Sequence, residues 1–362
     1  MAEPPAAPSR STLQTTAPLN IVMATPEAVP FAKTGGLGDV ASALPLELAK
    51  LGHDIRLVIP RYGFIKGAAY EFKEYERLTV PTFAGPVPAV VEQGVLAGGP
   101  GRSVRVPVLA IRSDPYFDRP GLYQVGGADY PDNLERFAFF SRAVLELLIV
   151  LREREGWGTE VLHIHDWQTA LCPIYLRTVY ADRPALRTVS SLLTLHNLGF
   201  QGIFPGADYP KTLLPPELFT PKILEFYGSL NLLKGGLLFA DYLNTVSPTY
   251  GREIQTAEFG FGLEGVIRER RERLSGVVNG IDTEVWNPAQ DPHLPARYSS
   301  LDLSGKAECK TALQREVGLP VRNVPVLVMV SRLTAQKGLD HVAEINPELM
   351  ELDLQLIVLG TG

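Results

Sequence analysis

Short apolar segments alternate with amphipathic ones along most of this chain, and no other feature limits its possible folds as strongly. Residues 20–25, 55–59 and 161–165 are short and mostly apolar, which is typical of strands buried on both faces. The segments between them carry apolar residues at helical spacing, and residues 134–151 are the longest example. Strands that alternate with helices form parallel sheets with helices on both faces, so the sequence predicts an α/β fold. Further strands are predicted at 104–111, 191–195, 242–246, 326–330 and 354–359, and helices at 40–51, 306–317 and 338–350.

The chain changes character between residues 277 and 320, where prolines are frequent and periodic segments are few. We interpret this stretch as a connection between two lobes. The predicted organisation is a disordered tail at 1–18, a first lobe at 19–276, the connection at 277–320, and the start of a second lobe at 321–362. Only two strands are predicted in that last part, whereas a parallel sheet needs more strands to bury both of its faces. The second lobe is therefore predicted to be incomplete.

Charge and composition exclude several classes of protein. The 362 residues include 34 Lys and Arg against 40 Asp and Glu, a net charge of −6, which argues against a surface for nucleic acids or anionic membranes. The sequence holds no run of about 18 uncharged apolar residues, so a membrane span is not predicted. The two cysteines, Cys172 and Cys309, are far apart and in no metal-binding spacing, and we interpret them as reduced thiols of a cytoplasmic protein.

A glycine-rich loop lies between the first predicted strand and the helix that follows it. Its sequence, KTGGLGDV at residues 33–40, would let backbone N–H groups approach a diphosphate, and Lys33 adds a full cation. The loop lacks the GK[ST] ending of a Walker loop and the GxGxxG spacing of a dinucleotide site. An ordinary structural turn is the alternative interpretation.

A second loop with basic residues, SRLTAQKG at 331–338, directly follows the strand predicted at 326–330. It places Arg332 and Lys337 at the carboxyl end of a parallel strand, where open α/β sheets bind ligands. Two cations at that position suit a diphosphate leaving group. A solvated charged loop explains the same residues equally well.

Polar pairs end two further predicted strands. His163 and His165 would point the same way on one strand, but a metal site is the weaker interpretation because no Cys or further His is near in sequence. His165 is a better candidate for a hydrogen bond to a substrate, and Asp166 could orient a ring nitrogen or cap the next helix. His196 and Asn197 follow the next predicted strand in the same way. Several polar pairs at strand ends favour a binding site at that sheet edge.

Two clusters of polar and aromatic residues complete the candidates. The segment YPDNLERF contains Asp132, which its spacing to Glu135 also explains as a helix N-cap. The segment FYGSLNLLKGG contains Asn231. Neither a Ser-His-Asp order nor a G-x-S-x-G elbow is present in the sequence, which argues against acyl hydrolysis.

These segments occur in the order found in bacterial and plant glycogen and starch synthases, which the chain resembles from about residue 21 to residue 362. The motifs that carry the resemblance are KTGGLGDV, HDWQTAL, LLTLHNLGFQGIFP, FYGSLNLLKGG, TVSPTY, EFGFGLEGV, VNGIDTEVWNP and SRLTAQKGLD. The resemblance implies the GT-B fold, with two Rossmann-like lobes. It also implies a retaining glucosyltransferase that moves glucose from ADP-glucose to the non-reducing end of an α-1,4-glucan.

The resemblance implies roles for individual residues, motif by motif. The glycine loop matches the family's nucleotide-sugar loop, His165 matches the histidine that contacts the transferred glucose, and Arg332 and Lys337 match the pair that holds the donor's phosphates. The implied catalytic residues are His165, Asp132, Arg332 and Lys337, and the implied substrate-binding residues are Glu27, Lys33, Gly35, Gly36, Asp39, His196, Asn197 and Asn231.

The resemblance implies no metal and no other cofactor. The implied partners are ADP-glucose and an α-1,4-glucan, without nucleic acid or membrane. The family continues past VLGTG with a glutamate motif that contacts the glucose and the ribose, so residues 1–362 alone are not expected to synthesise glucan. Two alternatives remain open, namely a glucan-binding module without catalysis and another GT-B transferase with a small sugar acceptor.

Overall fold

The structure, a computed structural model, describes residues 17–98 and 104–360 and separates into two compact units between Asn279 and Gly280. Most of the tail predicted at 1–18 lies outside the described residues. The strands of the first unit are β1 (Asn20–Ala24), β2 (Asp54–Pro60), β3 (Lys73–Val80), β4 (Val87–Ala97), β5 (Arg105–Arg112), β6 (Gln124–Val125), β7 (Ala128–Asp129), β8 (Val161–His165), β9 (Ser190–Leu195), β10 (Ile203–Pro205), β11 (Glu225–Phe226), β12 (Ser229–Asn231), β13 (Tyr242–Thr245) and β14 (Leu274–Gly276).

The main sheet of the first unit has nine strands within the described residues, in the order β14-β13-β9-β8-β1-β2-β5-β4-β3. The strands from β14 to β5 run parallel, as the alternation of strands and helices predicts. At one edge, β3 and β4 form an antiparallel hairpin that the sequence analysis missed. The connection at 81–86 is too short for the crossover that a parallel pair needs, so the chain turns back on itself there.

The helices of the first unit cover this sheet, and the first of them starts earlier than predicted. Helix α1 begins at Gly36 instead of residue 40, because Gly35 takes the extended backbone of an N-cap. Gly36 and Asp39 therefore lie in the first helical turn, where a carboxylate favours the positive end of the helix dipole. The helices are α1 (Gly36–Lys50), α2 (Asp114–Phe117), α3 (Asn133–Glu155), α4 (Leu171–Arg177), α5 (Leu232–Phe239), α6 (Pro248–Glu253) and α7 (Glu264–Glu269).

Helix α3 forms the centre of the core beside the sheet. It extends the helix predicted at 134–151 at both ends, and most of its residues are buried. Phe137, Phe139 and Phe140 are among the largest fully buried side chains. The helix ends at Gly156, whose left-handed backbone is the usual C-cap conformation. Within the described part of the chain, no helix combines the length and the apolar character needed to cross a membrane.

The second unit contains a parallel pair of strands that match the predicted positions. Their register places Val326 opposite Gln355. The helix predicted at 338–350 is interrupted at Ile345, because Pro347 lacks the N–H that a continuous helix would need. The elements are α8 (Gly305–Glu316), β15 (Val326–Val330), α9 (Leu339–Glu344), α10 (Asn346–Met350) and β16 (Gln355–Leu359).

Candidate functional site

Three neighbouring strands of the main sheet end at one edge and bring the first candidates together. The strands β1, β8 and β9 lie side by side and parallel, so their carboxyl ends meet. Glu27 follows β1, His165 ends β8, and His196 directly follows β9. Because open α/β sheets bind ligands outside these strand ends, this edge is the candidate site of the first unit.

The carboxylate of Glu27 holds the glycine loop through hydrogen bonds. Its side chain is buried, and its carboxylate accepts hydrogen bonds from the N–H of Thr34 (2.6 Å), the hydroxyl of Thr34 (2.6 Å) and the hydroxyl of Tyr123 (2.7 Å). The N–H of Gly35, which the sequence analysis directs toward a diphosphate, points at Glu27 Oε2 from 3.3 Å. Four donors occupy the lone-pair sites of one carboxylate, so Glu27 holds the loop in place.

The outer face of the glycine loop is open to a ligand. A Cβ added at Gly35 or Gly36 would meet no atom within 4 Å, so another molecule can approach the backbone closely. Lys33 Nζ pairs with Asp39 Oδ1 at 2.7 Å, and about half of each side chain is exposed. Exposed ion pairs contribute about 0–1 kcal/mol to stability. A phosphate that binds Lys33 and breaks its pair with Asp39 therefore costs little free energy.

Buried polar side chains cross β8, β9 and β13 behind this edge. His163 Nε2 lies 2.7 Å from the hydroxyl of Thr194, which is hydrogen-bonded in turn to Oδ1 of Asn244. An amide oxygen can only accept, so the Thr194 hydroxyl donates to it and accepts from His163. The rings of His163 and His165 lie beside each other with centroids 4.4 Å apart, as expected for residues two apart on a strand.

His165 is fully buried and is hydrogen-bonded to a second histidine. Its Nδ1 lies 3.0 Å from His196 Nε2, whereas its own Nε2 has no partner among the residues described. Burial lowers the pKa of His163 to about 3 and the pKa of His196 to about 4, and it holds the pKa of His165 well below the usual range. The three rings are therefore neutral at pH 7 and act as hydrogen-bond partners, without charge.

Asp166 ties the end of β8 to the end of β9. Its carboxylate accepts the backbone N–H of His196 at 2.8 Å, and its own N–H donates to the carbonyl of Thr194 at 3.0 Å. Its backbone has φ 54° and ψ −168°, a region that is almost reserved for glycine. Burial raises the pKa of this carboxyl to about 7, although the amides of His196 and Asn197 oppose that shift. The carboxylate thus contacts backbone, where the sequence suggested a ring nitrogen or the next helix.

Asp132 stands at the N-cap position of α3, but its side chain does not cap the helix. Its two oxygens accept from the two terminal nitrogens of Arg119 at 2.8 and 2.5 Å, a bidentate ion pair. The same guanidinium lies over the ring of Tyr130, 4.9 Å from its centroid. A carboxylate paired in this way is a weak nucleophile.

Asn231 is buried at the start of α5, near a cavity. Its Oδ1 accepts the N–H of Lys234 at 2.9 Å, and its Nδ2 donates to Gln201 Oε1 at 2.6 Å. The cavity has a volume of about 410 Å³, within the range of small-molecule sites. It is lined by Asp129, Tyr130, Pro131, Asn133, Trp167, Gly199, Phe200, Gln201, Gly202, Ile203 and Phe204.

Arg332 and Lys337 belong to the second unit and are described within it alone. Both are exposed on the loop after β15, which pairs in parallel with β16. The predicted location at the carboxyl end of a parallel strand is therefore confirmed. The roles predicted for these residues and for the candidates in the first unit stay predictions.

Sequence reasoning missed three residues that organise the site. Arg119 pairs with Asp132, Tyr123 donates to Glu27, and Gln201 joins Asn231 to the cavity. Tyr123 and Glu27 are 96 positions apart, so no local spacing connects them. Residue type gives one general signal, because a carboxylate that is partly buried, such as that of Asp132, usually pairs with a cation. That rule does not identify Arg119 as the cation.

Sequence comparisons identify a protein family and several relatives that are similar to this chain. The family model described as "Starch synthase catalytic domain" matches residues 20–269. The glycogen synthase of Syntrophotalea carbinolica is 44% identical over 348 residues, which cover 95% of this chain and 69% of that protein. The glycogen synthase of an Anaeromyxobacter species is 46% identical over 347 residues, which cover 95% of this chain and 70% of that protein.

A comparison with solved structures gives a concordant result. The catalytic domain of starch synthase IV from Arabidopsis thaliana, bound to ADP and acarbose, matches with a TM-score of 0.81. The two chains are 31% identical, and the match covers 95% of this chain and 69% of that one. The similarity therefore extends through both units of the present structure.

Proposed function

The chain belongs to the glycogen and starch synthase family of glycosyltransferases, and from that premise we propose that it transfers glucose from ADP-glucose to the non-reducing end of an α-1,4-glucan. Family membership confirms the predicted GT-B fold class and the predicted enzyme class, a glucosyltransferase of glycogen or starch synthesis. The choice of ADP is the finer part of the proposal. The KTGGL loop supports it, because it resembles the bacterial and plant type, and so does the ADP in the starch synthase IV structure.

The observation that carries the proposal is the buried, neutral imidazole of His165. Its Nδ1 is held by His196, and both its backbone N–H and its carbonyl bond the hydroxyl of Thr169 at 2.8 Å. The unpartnered Nε2 needs a partner, because a buried polar atom without one is destabilising. A sugar hydroxyl supplies that partner without adding charge. We therefore propose that His165 contacts the transferred glucose and that Asp132 and Asn231 are further sugar-binding residues.

Charge stabilisation falls to other residues in this proposal. The first unit would bind the sugar and the acceptor, and the second unit would begin the nucleotide-sugar-binding lobe. Arg332 and Lys337 would stabilise the negative charge on the departing diphosphate, while the glucosyl group acquires oxocarbenium character. The ion pair of Asp132 with Arg119 gives no support to a covalent nucleophile, so we propose same-face displacement assisted by the leaving phosphate.

The test measures the incorporation of radiolabelled glucose into glycogen. The enzyme is the full-length protein encoded by the gene that contains this sequence. ADP-glucose and UDP-glucose are compared at equal concentration, and we expect transfer from ADP-glucose to dominate. Arg332→Ala or Lys337→Ala should each lower kcat by about a hundredfold or more, the usual effect of losing one such donor. Preferential use of UDP-glucose would contradict the choice of donor. Turnover within twofold of the parent in both variants would contradict the phosphate role.

We also propose a cytoplasmic location, on the chemistry of the cysteines. Cys172 is buried and Cys309 is half-buried, and both are free thiols. Burial raises the pKa of Cys172 to about 12, which makes this thiol unreactive. Reduced thiols are typical of proteins from the cytoplasm.

A further inference from the structure

Two aromatic residues of the first unit share the same unusual backbone conformation. Tyr227 and Phe261 both have φ 50°, and each is followed by a glycine, Gly228 with φ 83° and Gly262 with φ 82°. A bulky aromatic residue rarely adopts this left-handed conformation, because its Cβ approaches the following carbonyl. Strain of this kind persists where the surrounding structure or a function maintains it.

Packing does not explain why these positions are aromatic. Tyr227 is 87% exposed and Phe261 is 50% exposed. Tyr227 and Gly228 connect β11 to β12, a hairpin turn at which Asn and Gly are the favoured residues. A smaller, more polar residue would remove the strain and the exposed apolar surface together, so the folded core does not require rings at these positions.

The two strained segments are neighbours in space. A Cβ built on Gly262 would lie 3.8 Å from Cε2 of Tyr227 and 2.9 Å from Cζ of Phe226. Phe226 meets Tyr227 at an interplanar angle of 76°, with ring centroids 4.7 Å apart. This edge-on contact supports the Tyr227 ring, most of which stays in solvent.

One side chain joins these segments to the candidate site. Gln201 Nε2 donates to the carbonyl of Phe261 at 3.1 Å, while Gln201 Oε1 accepts from Asn231 at 2.6 Å. Gln201 also lines the cavity of about 410 Å³. Phe261 is therefore connected through Gln201 to the wall of that cavity, and Tyr227 lies beside the next residue, Gly262.

We propose that Tyr227 and Phe261 form a stacking platform for a glucose unit of the bound α-glucan, several units from its reacting end. The inference rests on the proposed function, since that function supplies the polymer. Rigid aromatic faces with few rotatable bonds bind the apolar faces of pyranose rings, and a long acceptor continues beyond any pocket that holds only its end.

The experiment replaces each ring by a residue that suits the same backbone. Asn tolerates left-handed φ, so Tyr227→Asn and Phe261→Asn should keep or raise the melting temperature. We expect each to raise the Kd for maltoheptaose about fivefold, measured by calorimetry, and to leave the Kd for maltotriose unchanged. Tyr227→Phe keeps the ring and should bind like the parent. Phe83→Asn is the matched control, because Phe83 is 59% exposed on the connection between β3 and β4.

The outcomes separate this inference from the function on which it rests. Parental affinity for maltoheptaose in both Asn variants would overturn the platform, whatever their stability. A lower melting temperature together with unchanged affinity would assign the rings a structural role and would also overturn it. If the parent protein transfers no glucose and binds no maltoheptaose, the proposed function itself fails, and that result is read from the parent before any variant is compared.

Discussion

The segments at the carboxyl ends of β1 and β8 lie at the same edge of the sheet but differ in exposure, charge and backbone strain. In the β1 loop, Lys33 pairs with Asp39 in the solvent, and the positions beside Gly35 and Gly36 are open. In the β8 loop, the imidazole of His165 is buried and neutral, and Asp166 has a strained backbone. An exposed cation exchanges its partner at little energetic cost, whereas a buried neutral ring cannot change position without leaving polar atoms unpaired. The open loop suits a charged ligand that comes and goes, and the buried loop suits the orientation of an uncharged one.

The electrostatics of the buried loop reinforce this contrast. The groups that face Asp166 are the carboxylate of Glu27, the hydroxyls of Tyr123 and Tyr250, and the backbone amides of His196 and Asn197. No cation is among these groups. Burial therefore raises the pKa of the Asp166 carboxyl to about 7, and the two backbone amides oppose that shift without reversing it.

The largest effect is expected from removal of the Asp166 carboxylate. Asp166→Gly and Asp166→Ala both leave the N–H of His196 without its acceptor, and the resulting shift of the histidines should lower kcat by about a hundredfold. Asp166→Gly should also be more stable than Asp166→Ala by about 1–3 kcal/mol in urea unfolding, because glycine is not strained at φ 54°. Equal stability of the two variants would show that the backbone is not strained. Parental turnover in both would remove the positioning role.

The next effect concerns the pH dependence of stability. The unfolded chain protonates His163 near pH 6.5, but the folded chain does so only near pH 3, so protons favour unfolding between those values. The free energy of unfolding should fall as pH drops from 6.5, and His163→Gln should make that slope shallower by about 1.4 kcal/mol per pH unit. Urea unfolding at pH 4.5, 5.5 and 6.5 measures both slopes.

Asp166→Asn provides the control of opposite sign for that measurement. The folded chain holds the Asp166 proton up to about pH 7, while the unfolded chain releases it near pH 3.8, so this group lowers stability as pH rises between those values. Its removal should make the slope between pH 4.5 and 6.5 steeper. A shallower slope in Asp166→Asn, or an unchanged slope in His163→Gln, would contradict the assigned pKa shifts.

A smaller effect is expected at the anchor below the open loop. Glu27→Leu removes both acceptor oxygens and leaves the N–H groups of Thr34 and Gly35 without their acceptor. We expect a loss of about 1–3 kcal/mol in stability from those unmade hydrogen bonds. Thermal unfolding of Glu27→Leu beside Glu47→Leu, which replaces an exposed carboxylate on α1, measures the difference. Equal melting temperatures would show that the loop does not depend on Glu27.

The smallest effect on stability is expected at the exposed ion pair. Lys33→Met should change the free energy of unfolding by less than about 1 kcal/mol, because the pair with Asp39 is half exposed. If Lys33 binds the phosphates of ADP-glucose, Lys33→Met should raise KM for ADP-glucose more than it lowers kcat. Lys50→Met, which breaks another exposed pair on α1, is the matched control and should affect neither constant. A large loss of stability in Lys33→Met would remove the contrast between the two loops.

The order of strands and helices was predictable, because burial on both faces leaves a local signature in the sequence. The strands at 161–165 and 326–330 begin and end where they were predicted. Errors arose where one residue outweighed the pattern, as with the N-cap at Gly35 and with Pro347 in the second unit. The hairpin of β3 and β4 was missed because its strands are only half buried and because β4 contains Pro88 and Gly94, which are unfavourable inside a strand.

The sequence by itself determined the family, the α/β class and the set of chemical groups gathered at the strand ends. The family, the fold class and the chemical groups follow from the order and the type of residues along the chain, and no tertiary contact is needed to recognise them. Only the tertiary structure decided what each group can do. It neutralised the histidines by burial, paired Asp132 with Arg119, and turned Glu27 toward the loop that it supports. Partners and burial depend on residues many positions apart, and therefore only the folded chain specifies the charge and the freedom of each side chain.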